Sequence, residues 1–147
     1  NIRFSGEQAL ALIDLDTMAM STLDIELGDA MRSWCNPGGE DAVAGFDLNI
    51  FGAAMRGYAQ GSARLHPTQD EISRIAAGVL RITLELSARF AADALNECYF
   101  GYDESFGGRG EHNLLRAEGQ LTLATSIQAQ LPEMMQLVQL AFDEAKD

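Results

Sequence analysis

Residues 2–16 read I-R-F-S-G-E-Q-A-L-A-L-I-D-L-D. Two short apolar runs, 2–4 and 9–13, flank the turn-rich tetrapeptide S-G-E-Q, which predicts a β-hairpin. The rest of the chain carries helical periodicity, so this hairpin is expected to be its only β element. A two-stranded hairpin is marginal alone, and this one is expected to pack against helices or to pair with strands from elsewhere. Its second strand ends in D-x-D. Residues i and i+2 of a strand share a side, so Asp14 and Asp16 converge if the extended geometry persists. Neighbouring carboxylates repel unless a cation lies between them or one is protonated. Hard divalent ions such as Mg²⁺ prefer such oxygen ligands. A strand that simply runs out into solvated acids gives the same pattern.

Downstream, residues 23–35 follow a helical pattern that N-P-G-G at 36–39 stops. Asp47 is a candidate N-cap for a helix with Leu48, Phe51, Met55 and Tyr58 on one face. The longest helix is expected after His66-Pro67, where Thr68 and Glu71 form a capping box and Asp70 and Glu71 complement the helix dipole. Its stripe is Ile72, Ile75, Val79, Ile82, Leu86, Phe90 and Ala94. A second flank (Ala76, Leu80, Leu84, Ala91, Leu95) widens the apolar face, as in the central helix of a bundle. Residues 101–110, G-Y-D-E-S-F-G-G-R-G, read as a glycine-rich surface loop. A helix over 111–130 has Leu114, Ala117, Leu121, Ala124 and Ile127 on one side. Pro132 occupies the first turn of a last helix running to Lys146. The expected fold is mainly α: an N-terminal β-hairpin followed by a bundle of about five helices, in one domain spanning 1–147.

Composition narrows the function. A chain of 147 residues, 47% hydrophobic, suits one domain with a sizeable core. Its formal charge of −12, from 22 acids against 10 bases, argues against nucleic acid and anionic lipid as partners. No run of eighteen apolar residues predicts a membrane span, so a cytoplasmic protein is expected. Cys35 and Cys98 are isolated and are expected to be reduced. His66 and His112 have no metal-ligand spacing, and His112, beside Glu111, reads as a structural residue near a helix start. Trp34 is expected to pack where the first helix meets the bundle, and the six methionines to fill the core.

Three ordered segments carry a resemblance. N-I-R-F-S-G-E-Q-A-L-A-L-I-D-L-D-T at 1–17 resembles the part of the aminoglycoside phosphotransferase and choline kinase-like family in which a loop H-G-D-x-x-x-x-N leads into a hairpin ending in I-D-[LFW]-[DE]. L-D-I-E-L-G-D-A-M-R-S-W at 23–34 is similar to the family's Y-D-[LF]-G-D-A-[IV]-R helix, with Asp29, Ala30 and Arg32 in place and Glu26 where an aspartate is usual. H-N-L-L-R-A-E-G-Q at 112–120 is similar to the H-N-L-x-R-A-x-x-Q stretch of its sugar-kinase branch, such as the N-acetylhexosamine kinases.

The resemblance implies the C-terminal lobe of an ATP-dependent small-molecule kinase with a protein-kinase-like fold. Asp14 and Asn1 would hold Mg²⁺, Asp16 would assist, and Glu26 and Asp29 would support the catalytic loop. The catalytic-base aspartate is expected before Asn1, together with the nucleotide-clamping lobe, so that this chain alone would be inactive. The acceptor would be a hydroxyl of a sugar, aminoglycoside or amino alcohol. A homodimer is expected through the exposed hairpin and the lobe-interface surface. The alternative is a non-enzymatic helical interaction module in which D-x-D is incidental. A metal-dependent helical hydrolase would require acids and histidines at i, i+3 or i+4 on facing helices, which the pattern does not supply.

Overall fold

The hairpin forms as β1 (Ile2–Ser5) and β2 (Gln8–Leu12), antiparallel, with Ile2 opposite Leu12 and Ser5 opposite Gln8. Gly6 opens the two-residue turn at φ +56°, a conformation that costs glycine little and other residues more. The register slips by one residue between Arg3 and Phe4, a β-bulge that lets Ala11 and Ala9 face consecutive residues of β1. In the computed structural model, which describes residues 2–15, 19–42, 45–62 and 64–145, every residue of both strands is exposed. Among the described residues no helix packs on the hairpin. Of the two supports expected for it, helices of this chain and strands from elsewhere, the first is not found among the described residues.

The helical body comprises α1 (Leu23–Trp34), α2 (Leu48–Gly61), α3 (Gln69–Asn96) and α4 (Arg109–Glu144), with a 3₁₀ turn over Glu104–Phe106 before α4. Capping fixes two of the starts. Asp47 accepts hydrogen bonds from the amides of Asn49 (2.8 Å) and Ile50 (3.1 Å). Thr68 and Glu71 complete a reciprocal capping box at the head of α3, with Glu71 binding the Thr68 amide at 2.7 Å. The Thr68 hydrogen bonds hold the Glu71 carboxyl below the usual carboxylate range.

Helix α3 lies between α1 and α4, and α2 packs on the far part of α4. Met31, Phe51, Met55, Ile75, Val79, Leu123, Ile127 and Met134 form the fully buried centre, so all four helices contribute to one core. The observed fold is mainly helical with an N-terminal hairpin, as the periodicity implies, and the described residues form four α-helices where about five are expected.

The difference arises at Pro132, which lies inside α4 rather than at the start of a new helix. An internal proline forfeits one backbone hydrogen bond and strains the preceding turn, at about 3 kcal/mol. Ile127 on one side of it and Met134, Val138 and Phe142 on the other are buried in the same core, and that burial outweighs the cost. The longest helix is consequently α4, with 36 residues, and not α3, with 28.

The apolar faces also differ in detail from the sequence pattern. Ile72, Ile75, Val79 and Phe90 are buried as expected, whereas Leu84 and Leu95 of the second flank are exposed. On α4 the buried side is rotated: Leu114 and Leu121 face outward while His112, Asn113 and Gln120 are buried. Trp34 is 61% exposed and does not join the bundle. Met31, Met55 and Met134 are core residues, but Met20 and Met135 are exposed.

Candidate functional site

A cleft of about 440 Å³ opens between α1, α3 and the segment that follows β2. Helical spacing explains its walls. Ile25, Glu26 and Asp29 share one face of α1, and Ile82, Glu85, Leu86 and Arg89 share one face of α3. Asp14, Leu15 and Ala19 close the third side. The lining combines the apolar side chains of Ile25, Ile82 and Leu86 with the acids Asp14, Glu26, Asp29 and Glu85 and with Arg89.

The width of this cleft is set by a glycine contact. A Cβ on Gly78 of α3 would fall onto the carbonyl of Asp24, and one on Gly28 of α1 would stand 2.9 Å from the carbonyl of Gly78. Beside this contact, Arg81 of α3 reaches Asp24 of α1 at 3.0 Å. A hydrogen bond from Thr22 and the Arg81 charge hold the Asp24 carboxyl below its usual range.

Asp14, two residues past the end of β2, has φ at +61°, a backbone conformation that is uncommon for a residue with a side chain. Strained backbone of this kind concentrates at functional positions. Among the described residues its carboxylate has no hydrogen bond or ion pair, and the same holds for Glu26 and Glu85. Asp29 instead accepts from Arg32 at 3.0 Å, and Arg32, itself buried, also binds Glu40 at 3.0 Å. Asn1 and Asp16, the other two expected metal ligands, lie outside the described residues. Among the described residues no three His, Cys, Asp or Glu side chains are grouped closely enough to hold a metal ion.

The third sequence segment forms a separate polar cluster. Asp93, near the end of α3, is buried and accepts from the amides of Cys98 (3.0 Å), Tyr99 (2.8 Å) and Phe100 (2.8 Å) and from the side chain of Asn113 (2.9 Å). Burial works against its charge, but the Phe100, Cys98 and Tyr99 hydrogen bonds prevail and hold its carboxyl below the ordinary aspartate value. His112 is fully buried, with the ring of Phe106 stacked on it at 4.4 Å. Its Nδ1 accepts from the Asp103 amide at 2.9 Å, which assigns the proton to Nε2, 2.8 Å from Asp41. Arg116 donates to the same Asp41 oxygen at 2.6 Å and to the carbonyl of Gly101 at 2.8 Å. The Arg116 hydrogen bond, followed by that of His112, holds the Asp41 carboxyl below its usual range. Both nitrogens of His112 are thus engaged in structure, in agreement with its reading as structural, and the 101–110 loop is pinned to the head of α4.

The geometry brings together Asp14, Glu26 and Asp29 from two separate sequence segments. Glu85 and Arg89 were not singled out by sequence, although positions 82, 85, 86 and 89 repeat at helical spacing on α3. No family model matches the chain.

Proposed function

We propose that this chain contributes the metal- and acceptor-binding half of an ATP-dependent small-molecule phosphotransferase, acting on a hydroxyl of a sugar, aminoglycoside or amino alcohol. The observation that supports this reading is the shared cleft: Asp14 from one motif and Glu26 and Asp29 from another line one opening between α1 and α3. Phosphoryl transfer is largely a matter of positioning and charge neutralisation. Asp14 would hold Mg²⁺, which would supply positive charge to offset that of the nucleotide phosphates. Glu26 and Asp29 brace the neighbouring catalytic loop, with Asp29 fixed by Arg32 and Arg32 by Glu40. None of the described residues is assigned as the base that orients the acceptor hydroxyl, and this chain alone is expected to be inactive.

The experiment is Mg²⁺-dependent ATP binding and turnover by the full-length gene product. Asp14→Asn is expected to abolish both. Full ATP binding and turnover in that variant would sink the proposal. The exposed apolar hairpin favours a second reading, an interaction module that associates with a second copy or another protein, and this reading predicts association that does not depend on Asp14.

A further inference from the structure

Leucines of α3 and α4 stand in solvent along the outer seam between these helices. Leu95 is 87% exposed, and Leu84, Leu114 and Leu121 are between 44% and 54% exposed. Helix α4 runs back along α3: Asn113 reaches Asp93 at 2.9 Å, and the Ser87 hydroxyl donates to the carbonyl of Ala117 at 2.8 Å. One further turn of this pairing sets Leu121 beside Leu84. Leu84, Ala88, Ala91 and Leu95 share one face of α3, and Leu114 and Leu121 stand two turns apart on one face of α4. Between the two walls lies an open groove of about 490 Å³, lined by Ala91, Ala94, Leu95 and Leu114 together with Glu97 and Glu111. From Leu84 to Leu95 its wall runs for about 16 Å, or three helical turns. The cleft uses a different face of α3, that of Ile82, Glu85 and Leu86, so the groove is a separate surface.

The charge of this groove has one sign. Glu97 and Glu111 line it, and Glu118 is exposed on α4 between Leu114 and Leu121. The arginines of α3 and α4 are engaged elsewhere. Arg74 pairs with Asp70, Arg81 with Asp24 and Arg116 with Asp41. Arg109 donates to the carbonyl of Phe100, and Arg89 lies over the Tyr99 and Phe100 rings. A second copy is a poor occupant, because in a two-fold pair this face would meet itself and bring its acids together. The formal charge of −12 adds to that repulsion. A helix with apolar residues on one face and Lys or Arg at its margins matches both the leucines and the acids. We propose that the α3–α4 groove docks a basic amphipathic helix of a partner protein, with its apolar face between Leu95 and Leu114 and its bases against Glu97, Glu111 and Glu118. The proposal is independent of the cleft and of any reading of Asp14.

The test is fluorescence anisotropy of a labelled synthetic peptide of about fourteen residues, four turns, with leucines on one helical face and lysines on the other. A glutamate analogue and a scrambled peptide of the same composition serve as controls. Circular dichroism verifies that each protein variant is folded. The lysine peptide is expected to bind the wild-type chain with micromolar affinity, and the two controls are expected not to bind. Leu95→Ser with Leu114→Ser is expected to weaken binding by about tenfold or more, the effect of exposing leucines that the complex buries. Glu111→Lys with Glu118→Lys is expected to weaken it as well and to abolish its dependence on salt. Phe4→Lys with Leu12→Lys, on the hairpin, is expected to leave it unchanged. Wild-type affinity in both groove variants, equal binding of a control peptide, or no binding at about 100 μM lysine peptide overturns the proposal. Self-association of the wild type that Leu95→Ser with Leu114→Ser removes also overturns it, and gives the groove to a second copy.

Discussion

Gly28 and Gly78 bring the backbones of α1 and α3 into contact, since a Cβ on Gly28 would come within 2.9 Å of the Gly78 carbonyl. This contact is the reason the cleft has close walls: Ile82, 3.1 Å from the same Cβ position, lines it one turn further along. Gly78→Ala would drive a methyl group into the Asp24 carbonyl, and backbone cannot rotate away as a side chain can. The gain in helix propensity, about 1 kcal/mol, offsets only part of the overpacking. A net loss of roughly 2 kcal/mol is expected in urea unfolding. Gly57→Ala is the control. Nothing lies within 4 Å of its Cβ position in α2, so a gain of about 0.5–1 kcal/mol is expected. Equal behaviour of the two variants would show that α1 and α3 are not held together here.

Asp93 ties the acid stability of the loop after α3 to a single carboxylate. Its folded pKa is depressed, so its contribution is fully present above the ordinary aspartate value of 3.8 and is lost as pH falls through the lower folded value. Asp93→Asn is expected to be less stable than the wild type at pH 7, because an amide cannot accept from the Cys98, Tyr99 and Phe100 amides and from Asn113 together. The gap should narrow as pH is lowered below 3.8. Urea midpoints measured across that range check it, and a gap that widens in acid would refute the assignment.

Much of this architecture is legible in local chemistry. Thr68 with Glu71 and Asp47 before Leu48 announce two helix starts because capping depends on residues a few positions apart. The α4 face is not legible in the same way. Apolar spacing selects Leu114 and Leu121, yet Asn113 is buried to reach Asp93 and His112 to join Asp103 and Asp41. These partners lie up to 71 residues away, beyond any local periodicity. Pro132 misleads for a related reason, since its local preference for a first turn yields to packing on both sides. The cleft is half legible: Asp14, Glu26 and Asp29 stand in motifs, whereas Glu85 and Arg89 join it only through the packing of α3 beside α1.

The two cysteines should separate by reactivity. Cys35 is fully buried, and desolvation, reinforced by the charge of Asp47, pushes its thiol up to about 12. Cys98 is exposed and free. An aromatic disulfide reagent at pH 8 is expected to modify Cys98 promptly and Cys35 only after unfolding in denaturant. Prompt release of two equivalents from the native protein would contradict the burial of Cys35.

The hairpin gives the last prediction, because its side chains contribute to no helical packing. Ile2, Phe4, Leu10 and Leu12 are between 50% and 66% exposed, and a two-stranded sheet leaves two open edges. Apolar residues in this position gain by covering one another between molecules and gain nothing within one. Phe4→Lys and Leu12→Lys, singly or together, should therefore leave urea unfolding of the helical body within about 0.5 kcal/mol of wild type. The same changes should lower self-association in sedimentation equilibrium, since added charge at a sheet edge opposes pairing. A large loss of stability would mean that the hairpin packs on the helices after all. A wild-type chain that stays monomeric at high concentration would remove the association argument and leave the exposed strands to another partner.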